Sequence, residues 1–242
     1  MLNLLLDFFF PCYCISCGVP ISSRSNYLCI NCRSTLPFAT NNCERCGSVL
    51  HDGLCLFCNN REVYISKHIS IFEYRGTAKA ALHGLKFKGL KNIAMIFPDY
   101  IVSAIDSMNE QIDIVTYVPM SWKKLRARGY NHCELIAKRV ASKRGFCFKK
   151  TLEENKGYIA QREFGYKERF INVIDRYRVI SKSNLFGKSV LIIDDVFTTG
   201  ATVNECARKL LEAGAAKVFS VTIARADIKS LKISENHLYF IC

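Results

Sequence analysis

Four Cys-x-x-Cys pairs lie between residues 14 and 58: Cys14 and Cys17, Cys29 and Cys32, Cys43 and Cys46, Cys55 and Cys58. No other feature restricts the fold as strongly. Each pair delivers two thiolates from one tight turn, and zinc takes four in a tetrahedron, so four turns fill two sites. The first and third pairs run into glycine (CISCG, CERCG), and the second and fourth do not. A glycine there admits the positive φ that lets backbone amides turn toward the sulfurs. The repeat predicts consecutive sites, Cys14/Cys17/Cys29/Cys32 and Cys43/Cys46/Cys55/Cys58. Short spacers within each site leave an interleaved pairing open. Cys12 is set aside, because its Cys-x-Cys spacing to Cys14 matches no other pair. All-cysteine zinc sites are closed and structural, and a module this small needs them to fold.

Thirteen cysteines in 242 residues would suggest disulfides in a secreted chain, but their regular spacing points to metal. The apolar opening MLNLLLDFFFPC is too short to span a bilayer, contains Asp7 and lacks a basic start and a small-residue cleavage site. It reads as a short helix packed on the rest of a cytoplasmic protein with no membrane span. Half the residues are hydrophobic and no low-complexity tract occurs, which excludes a disordered chain. The formal charge of +13 points to an anionic partner. Eight thiolates on two zinc ions would lower that charge to roughly +9.

Beyond residue 60 strands and helices alternate. KHISIFEY (67–74), IDIVTYVP (112–119), KSVLIIDDV (188–196) and KVFSVTIAR (217–225) read as strands; the last two are continuous apolar runs of the kind buried on both faces of a parallel sheet. Helical patterns cover 77–89, 91–108 with Pro98 as a break or first-turn residue, 131–145 ending at Gly145, and 201–215. The order predicts a doubly wound α/β domain over 61–226, with its ligand beyond the carboxyl ends of the strands. Residues 227–242 form an extension that includes a candidate added strand.

At one such end VLIIDDVFTTGATV places two carboxylates before a loop of small hydroxyl residues. The loop joins strand to helix, so its amides, the helix end and the hydroxyls of Thr198, Thr199 and Thr202 form a cradle for one phosphate. A Walker ending is absent, and only Gly200 of a dinucleotide fingerprint is present. Asp194 and Asp195 repel each other, and the vicinal hydroxyls of a ribose would donate to both. A ribose 5-phosphate satisfies acids and cradle together. The basic loop SWKKLRARGYN follows the preceding strand and gathers Lys123, Lys124, Arg126 and Arg128 at the same end of the sheet. Residues 122–150 hold ten Lys or Arg against the single acid Glu134, with Trp122 and Tyr130 flanking the first part, a composition that also suits single-stranded nucleic acid.

The stretch VLIIDDVFTTGAT resembles the phosphoribosyl pyrophosphate (PRPP) motif of type I phosphoribosyltransferases. Together with VPMSWKKLRARGYN, Gln161, Arg169, Asn172 and the four cysteine pairs, it makes residues 1 to about 226 resemble the ComF family of competence-associated proteins. The resemblance implies a type I phosphoribosyltransferase-like sheet behind an N-terminal double zinc ribbon. It implies that Thr198, Thr199, Gly200, Ala201 and Thr202 hold the 5-phosphate, that Asp194 and Asp195 hold the ribose, that Mg²⁺ bridges pyrophosphate and ribose, and that the pyrophosphate sits at the basic loop with Ser121, Lys124, Arg126 and Arg128, of which the bidentate Arg128 suits it best. The polar segment between residues 154 and 173 would close as a lid, with Arg162, Lys167 and Arg169 stabilising departing pyrophosphate. Asp194, Asp195 and Arg169 are thus the candidate catalytic residues. The family association also implies single-stranded DNA and other competence proteins as partners, with the phosphoribosyl acceptor unassigned.

Overall fold

The computed structural model describes residues 12–21, 27–48, 50, 52–59, 61–155, 173–180 and 185–226. The expected N-terminal helix, the proposed lid with Gln161, Arg162, Lys167, Arg169 and Asn172, and the C-terminal strand lie outside the described residues. The cysteine module contributes the short strands β1 (Cys12–Tyr13) and β2 (Pro20–Ile21) and the short helices α1 (Ile30–Ser34) and α2 (Leu56–Asn59). After it come β3 (Lys67–Glu73), α3 (Gly76–Phe87), a 3-10 turn (Lys91–Ile96), α4 (Pro98–Met108), β4 (Ile114–Tyr117), α5 (Trp122–Arg128) and α6 (His132–Arg144). The chain continues through β5 (Cys147–Phe148), β6 (Leu152–Glu154), β7 (Tyr177–Val179), β8 (Ser189–Phe197), α7 (Ala201–Glu212) and β9 (Lys217–Arg225).

Five strands form a parallel sheet in the order β3-β9-β8-β4-β5. The apolar run of β8 divides by parity between its two faces. Leu191 and Ile193 join a core built with α3, α4 and α6, whereas Val190 and Ile192 join a second core built with α7. Burial on both faces explains why β8 shows no polar alternation. Pro98 sits in the first turn of α4, where its missing N–H costs nothing, and the segment before it winds as the 3-10 turn. In β3 the polar residues of the alternation are not solvated. His68 and Ser70 are buried with Ser220 and Thr222 of β9, with His68 Nδ1 2.7 Å from Ser220 Oγ and His68 Nε2 2.8 Å from Ser70 Oγ. The buried polar groups are therefore mutually satisfied.

The cysteine module straddles the edge of this sheet. Cys14, Leu28, Cys32 and Leu36 join the first core, and Cys46 and Cys55 join the second. Between the two halves, residues 37–41 run along β3: Ala39 N donates to Ile71 O at 2.9 Å, Glu73 N to Pro37 O at 2.7 Å, and Asn41 Nδ2 to Ser70 O at 2.9 Å. The linker thus covers an edge that would otherwise expose unpaired backbone groups. A short antiparallel pair, β6 with β7, stands apart from the main sheet and flanks residues 156–172 in sequence.

Candidate active site and zinc sites

The eight predicted cysteines gather as two tetrads, Cys14/Cys17/Cys29/Cys32 and Cys43/Cys46/Cys55/Cys58, with ligand atoms in each within 4.8 Å of one another. Cys12 stands outside both. Sulfur separations are 3.6 Å for Cys17–Cys29, 3.9 Å for Cys43–Cys58 and 3.4 Å for Cys46–Cys55. Tetrahedral zinc at about 2.3 Å from each sulfur requires about 3.8 Å between sulfurs, so the donor sets fit. Gly18 and Gly47 have φ of +76° and +67°, as the knuckles require. Backbone amides reach the sulfurs: Cys29 N to Cys14 Sγ, Cys32 N to Cys29 Sγ and Cys58 N to Cys55 Sγ, each 3.4 Å. Burial would raise the Cys14 thiol, but the amides of Cys29, Cys17 and Ser16 outweigh it and bring the thiol down to about 6. These amides favour the thiolate that zinc needs.

The second ribbon is tied to the sheet by Arg225 at the end of β9. Its guanidinium donates to Ser48 Oγ at 2.9 Å and to Cys46 O, and stacks 4.6 Å from the ring of Phe197. Phe197 is the last residue of β8, immediately before the predicted phosphate loop. Asn204 of α7 holds the linker to the ribbon, accepting from Tyr64 N at 2.8 Å and donating to Glu62 O at 3.0 Å.

Asp194 and Asp195 lie near the carboxyl end of β8, which is central in the sheet. Gly200 then turns the chain with φ +70° as the N-cap of α7, and the first-turn amides of that helix face the loop. Thr198 and Thr202 are half-buried; Thr199 is buried, and its Oγ1 accepts from Ala201 N at 3.4 Å. Five predicted cradle residues, 198–202, therefore form one strand-to-helix turn.

The like-charge problem of the acid pair is met by residues that the sequence did not single out. Lys86 of α3 places Nζ 2.8 Å from Asp195 Oδ2, and His132 at the start of α6 places Nε2 2.5 Å from the same oxygen. His132 Nδ1 lies 2.9 Å from Arg128 Nη1. Arginine only donates, so Nδ1 accepts and the imidazole proton sits on Nε2, directed at Asp195. Burial lowers the His132 pKa below its ordinary value despite the carboxylate, which keeps the ring neutral. Burial would raise Asp195, but His132 and Lys86 overcome it and hold the carboxyl well below its usual range. Asp194 goes the other way. Its burial and the charge of Asp195 push it up to about 7, although Asp195 N donates to Asp194 Oδ1 at 2.8 Å. The two acids thus divide into one fixed anion and one group that titrates near neutrality.

Of the predicted pyrophosphate residues, the structure brings Arg128 to the acid pair, through His132. The basic segment is the helix α5 rather than a loop, with Ser121 as N-cap accepting from Lys124 N at 3.3 Å and Gly129 closing it at φ +76°. Lys124 and Arg126 are exposed on this helix, and among the described residues no ion pair joins either to an acid. Elsewhere in the basic stretch Lys138 pairs with Glu134, Lys143 with Asp99 and Arg144 with Asp106. No helix among the described residues is long and apolar enough to cross a membrane.

Known proteins match both parts of the chain. The double zinc ribbon domain family matches residues 5–60 and the phosphoribosyl transferase domain family matches residues 155–240. The competence protein ComFC of Streptococcus pneumoniae is 27% identical over 202 residues, covering 82% of this chain and 87% of that protein. The DNA utilization protein YhgH of Salmonella typhimurium is 24% identical over 216 residues, covering 86% and 94%. The competence protein ComFC of Bacillus subtilis is 26% identical over 212 residues, covering 82% and 84%. Over most of its length the chain is thus similar to the ComFC and YhgH proteins, with a match to the double zinc ribbon domain preceding a match to the phosphoribosyl transferase domain.

Proposed function

We propose that the chain binds PRPP at the carboxyl end of β8 and transfers its phosphoribosyl group to an acceptor, releasing pyrophosphate. The carrying observation is the acid pair running directly into the Gly200 turn and the first-turn amides of α7. The amides and the hydroxyls of Thr198, Thr199 and Thr202 take the 5-phosphate. Asp194 and Asp195 accept hydrogen bonds from the ribose hydroxyls and fix the ring while positive charge develops at its anomeric carbon. Arg128 takes the pyrophosphate as a bidentate donor, with Ser121, Lys124 and Arg126 beside it on α5. Arg169 is assigned to the departing pyrophosphate. Mg²⁺ bound with PRPP would supply neutralising charge to the leaving group. The zinc ions are structural, and the thiolate sites suit a reducing cytoplasm.

Calorimetry with PRPP and Mg²⁺, followed by a pyrophosphate-release screen against amines and nucleobases, tests the reading. Binding that weakens by ~10–100-fold in Asp195→Asn is expected, since a charge-assisted hydrogen bond is lost. Absence of any heat with PRPP refutes it.

A second reading is carried by α5 itself. Trp122 is 72% exposed amid the exposed Lys123, Lys124 and Arg126. An open indole among cations suits the stacked bases and phosphates of single-stranded DNA, and the relatives' names refer to competence and DNA utilization. On this reading the chain handles DNA under PRPP control, alongside other competence proteins. Neutralising Lys123, Lys124 and Arg126 would then flatten the salt dependence of single-strand binding, and an unchanged slope excludes it.

A further inference from the structure

Asp195 is held from two sides by groups of very different mobility. His132 is 2% exposed at its side chain, sits at the start of α6 and is pinned at its other nitrogen by Arg128. Lys86 reaches the same Asp195 oxygen from the last turn of α3 on a four-carbon stem, and Gly89, with φ +67°, ends the segment just beyond it. Both side chains of the Lys86–Asp195 pair keep some access to solvent, 17% and 19%. Lys86 is buried enough to be a specific partner and flexible enough to leave.

A ribose whose two hydroxyls span both oxygens of the Asp195 carboxylate competes for this one. Its hydroxyls are donors, and a carboxylate oxygen already taking a histidine N–H and an ammonium has little room for a third donor. His132 cannot retreat without breaking its contact with Arg128. Lys86 can, because its compact charge has no fixed fork geometry to preserve. A departing ammonium in a half-buried cleft needs a new anion, and the pyrophosphate of the incoming ligand supplies one at the same strand end.

We propose that Lys86 is a ligand-exchange lysine: it neutralises Asp195 in the free protein and moves to the pyrophosphate of PRPP when the ribose takes its place. The proposal rests on the PRPP reading given above and adds to it a residue from outside the motif. The exchange keeps the number of unpaired charges constant through binding. It also makes the pyrophosphate, rather than the sugar phosphate alone, the group that lets the acid pair open.

The test compares PRPP with ribose 5-phosphate, which lacks the pyrophosphate, in wild type, Lys86→Met and the same-helix control Lys79→Met, by calorimetry with Mg²⁺. Lys86→Met is expected to weaken PRPP by ~10–100-fold, the loss of one charge-assisted contact. It is expected to bind ribose 5-phosphate as well as wild type or better, because Asp195 is freed. Lys79→Met, a change of equal charge at an exposed position, is expected to match wild type for both ligands. Equal weakening of both ligands by Lys86→Met means that the lysine merely props the site, and overturns the proposal; so does wild-type affinity for both. If Lys86→Met does not fold, Lys86→Gln, which removes the charge but keeps a polar side chain, must show weakened PRPP binding with ribose 5-phosphate affinity no lower than wild type. Failure of the underlying PRPP reading looks different, since wild type itself would then bind neither ligand.

Discussion

The contact between Arg225 and the second ribbon makes the strongest prediction about how the two parts of the chain depend on each other. Arg225→Met keeps an apolar stem over Phe197 but removes the donors to Ser48 Oγ and Cys46 O. Each such bond to a charged donor is worth about 1.5–3 kcal/mol, and the two acceptors left behind are desolvated. Against this, the substitution relieves the burial of a guanidinium whose Nε finds no partner among the described residues, a burial strong enough to lower the arginine pKa despite the nearby thiolates. The balance is a loss of about 2–4 kcal/mol, which for a chain of this size lowers Tm by roughly 5–15 °C. Because Phe197 immediately precedes the Gly200 turn, PRPP affinity should fall as well, even though Arg225 contacts none of the residues assigned to PRPP. Differential scanning calorimetry of the zinc-loaded protein, paired with PRPP titration, checks both. If Tm stays within about 1 °C of wild type, the ribbon is not braced through Arg225 and the argument linking it to the phosphate loop is wrong.

Three further outcomes follow from the same geometry. Cys32→Ser and Cys55→Ser should each lower the zinc content measured by mass spectrometry under native conditions by one ion, in different ribbons, whereas Cys12→Ser should leave it unchanged. Trp122→Ala should leave Tm nearly untouched, because the indole is exposed, yet weaken single-stranded DNA by about 1–3 kcal/mol if α5 stacks a base. Asp194 makes the free protein less stable as pH rises. The unfolded carboxyl ionises near 3.8 while the folded one keeps its proton until about 7, so this group's contribution is present at low pH and is lost between those values at up to about 1.4 kcal/mol per pH unit. Asp195, depressed on folding, contributes in the opposite sense: its stabilisation is present above its unfolded value and is lost on acidification. Denaturant titrations from pH 5 to 8 should therefore show a decline that Asp194→Asn removes, and an identical decline in that variant would refute the assignment.

What the sequence revealed, and what it did not, divides along contact distance. The zinc tetrads were legible because metal-ligand spacing is local: two residues between sulfurs and a glycine after them already specify the knuckle, and consecutive pairing followed from the repeat. The acid pair and its loop were legible for the same reason, as a contiguous strand, turn and helix start. Helix α5 was missed because it buries none of its residues, so no apolar periodicity marks it; Ser121 and Gly129 alone set its ends. Strands β5, β6 and β7, of two or three residues each, are too short to carry a pattern. Lys86 and His132 were illegible in a deeper sense. Each looks like an ordinary residue of a helix, and only the packing of α3 and α6 on one face of the sheet brings them to Asp195. The motif names the acids, but their charge state belongs to residues 109 and 63 positions earlier in the chain, as counted from Asp195 back to Lys86 and His132. A chain that kept the motif and lost His132 would still look like a PRPP site by sequence, and would leave Asp195 with Lys86 as its one remaining side-chain partner among the described residues, so that the two carboxyls raise each other's pKa further.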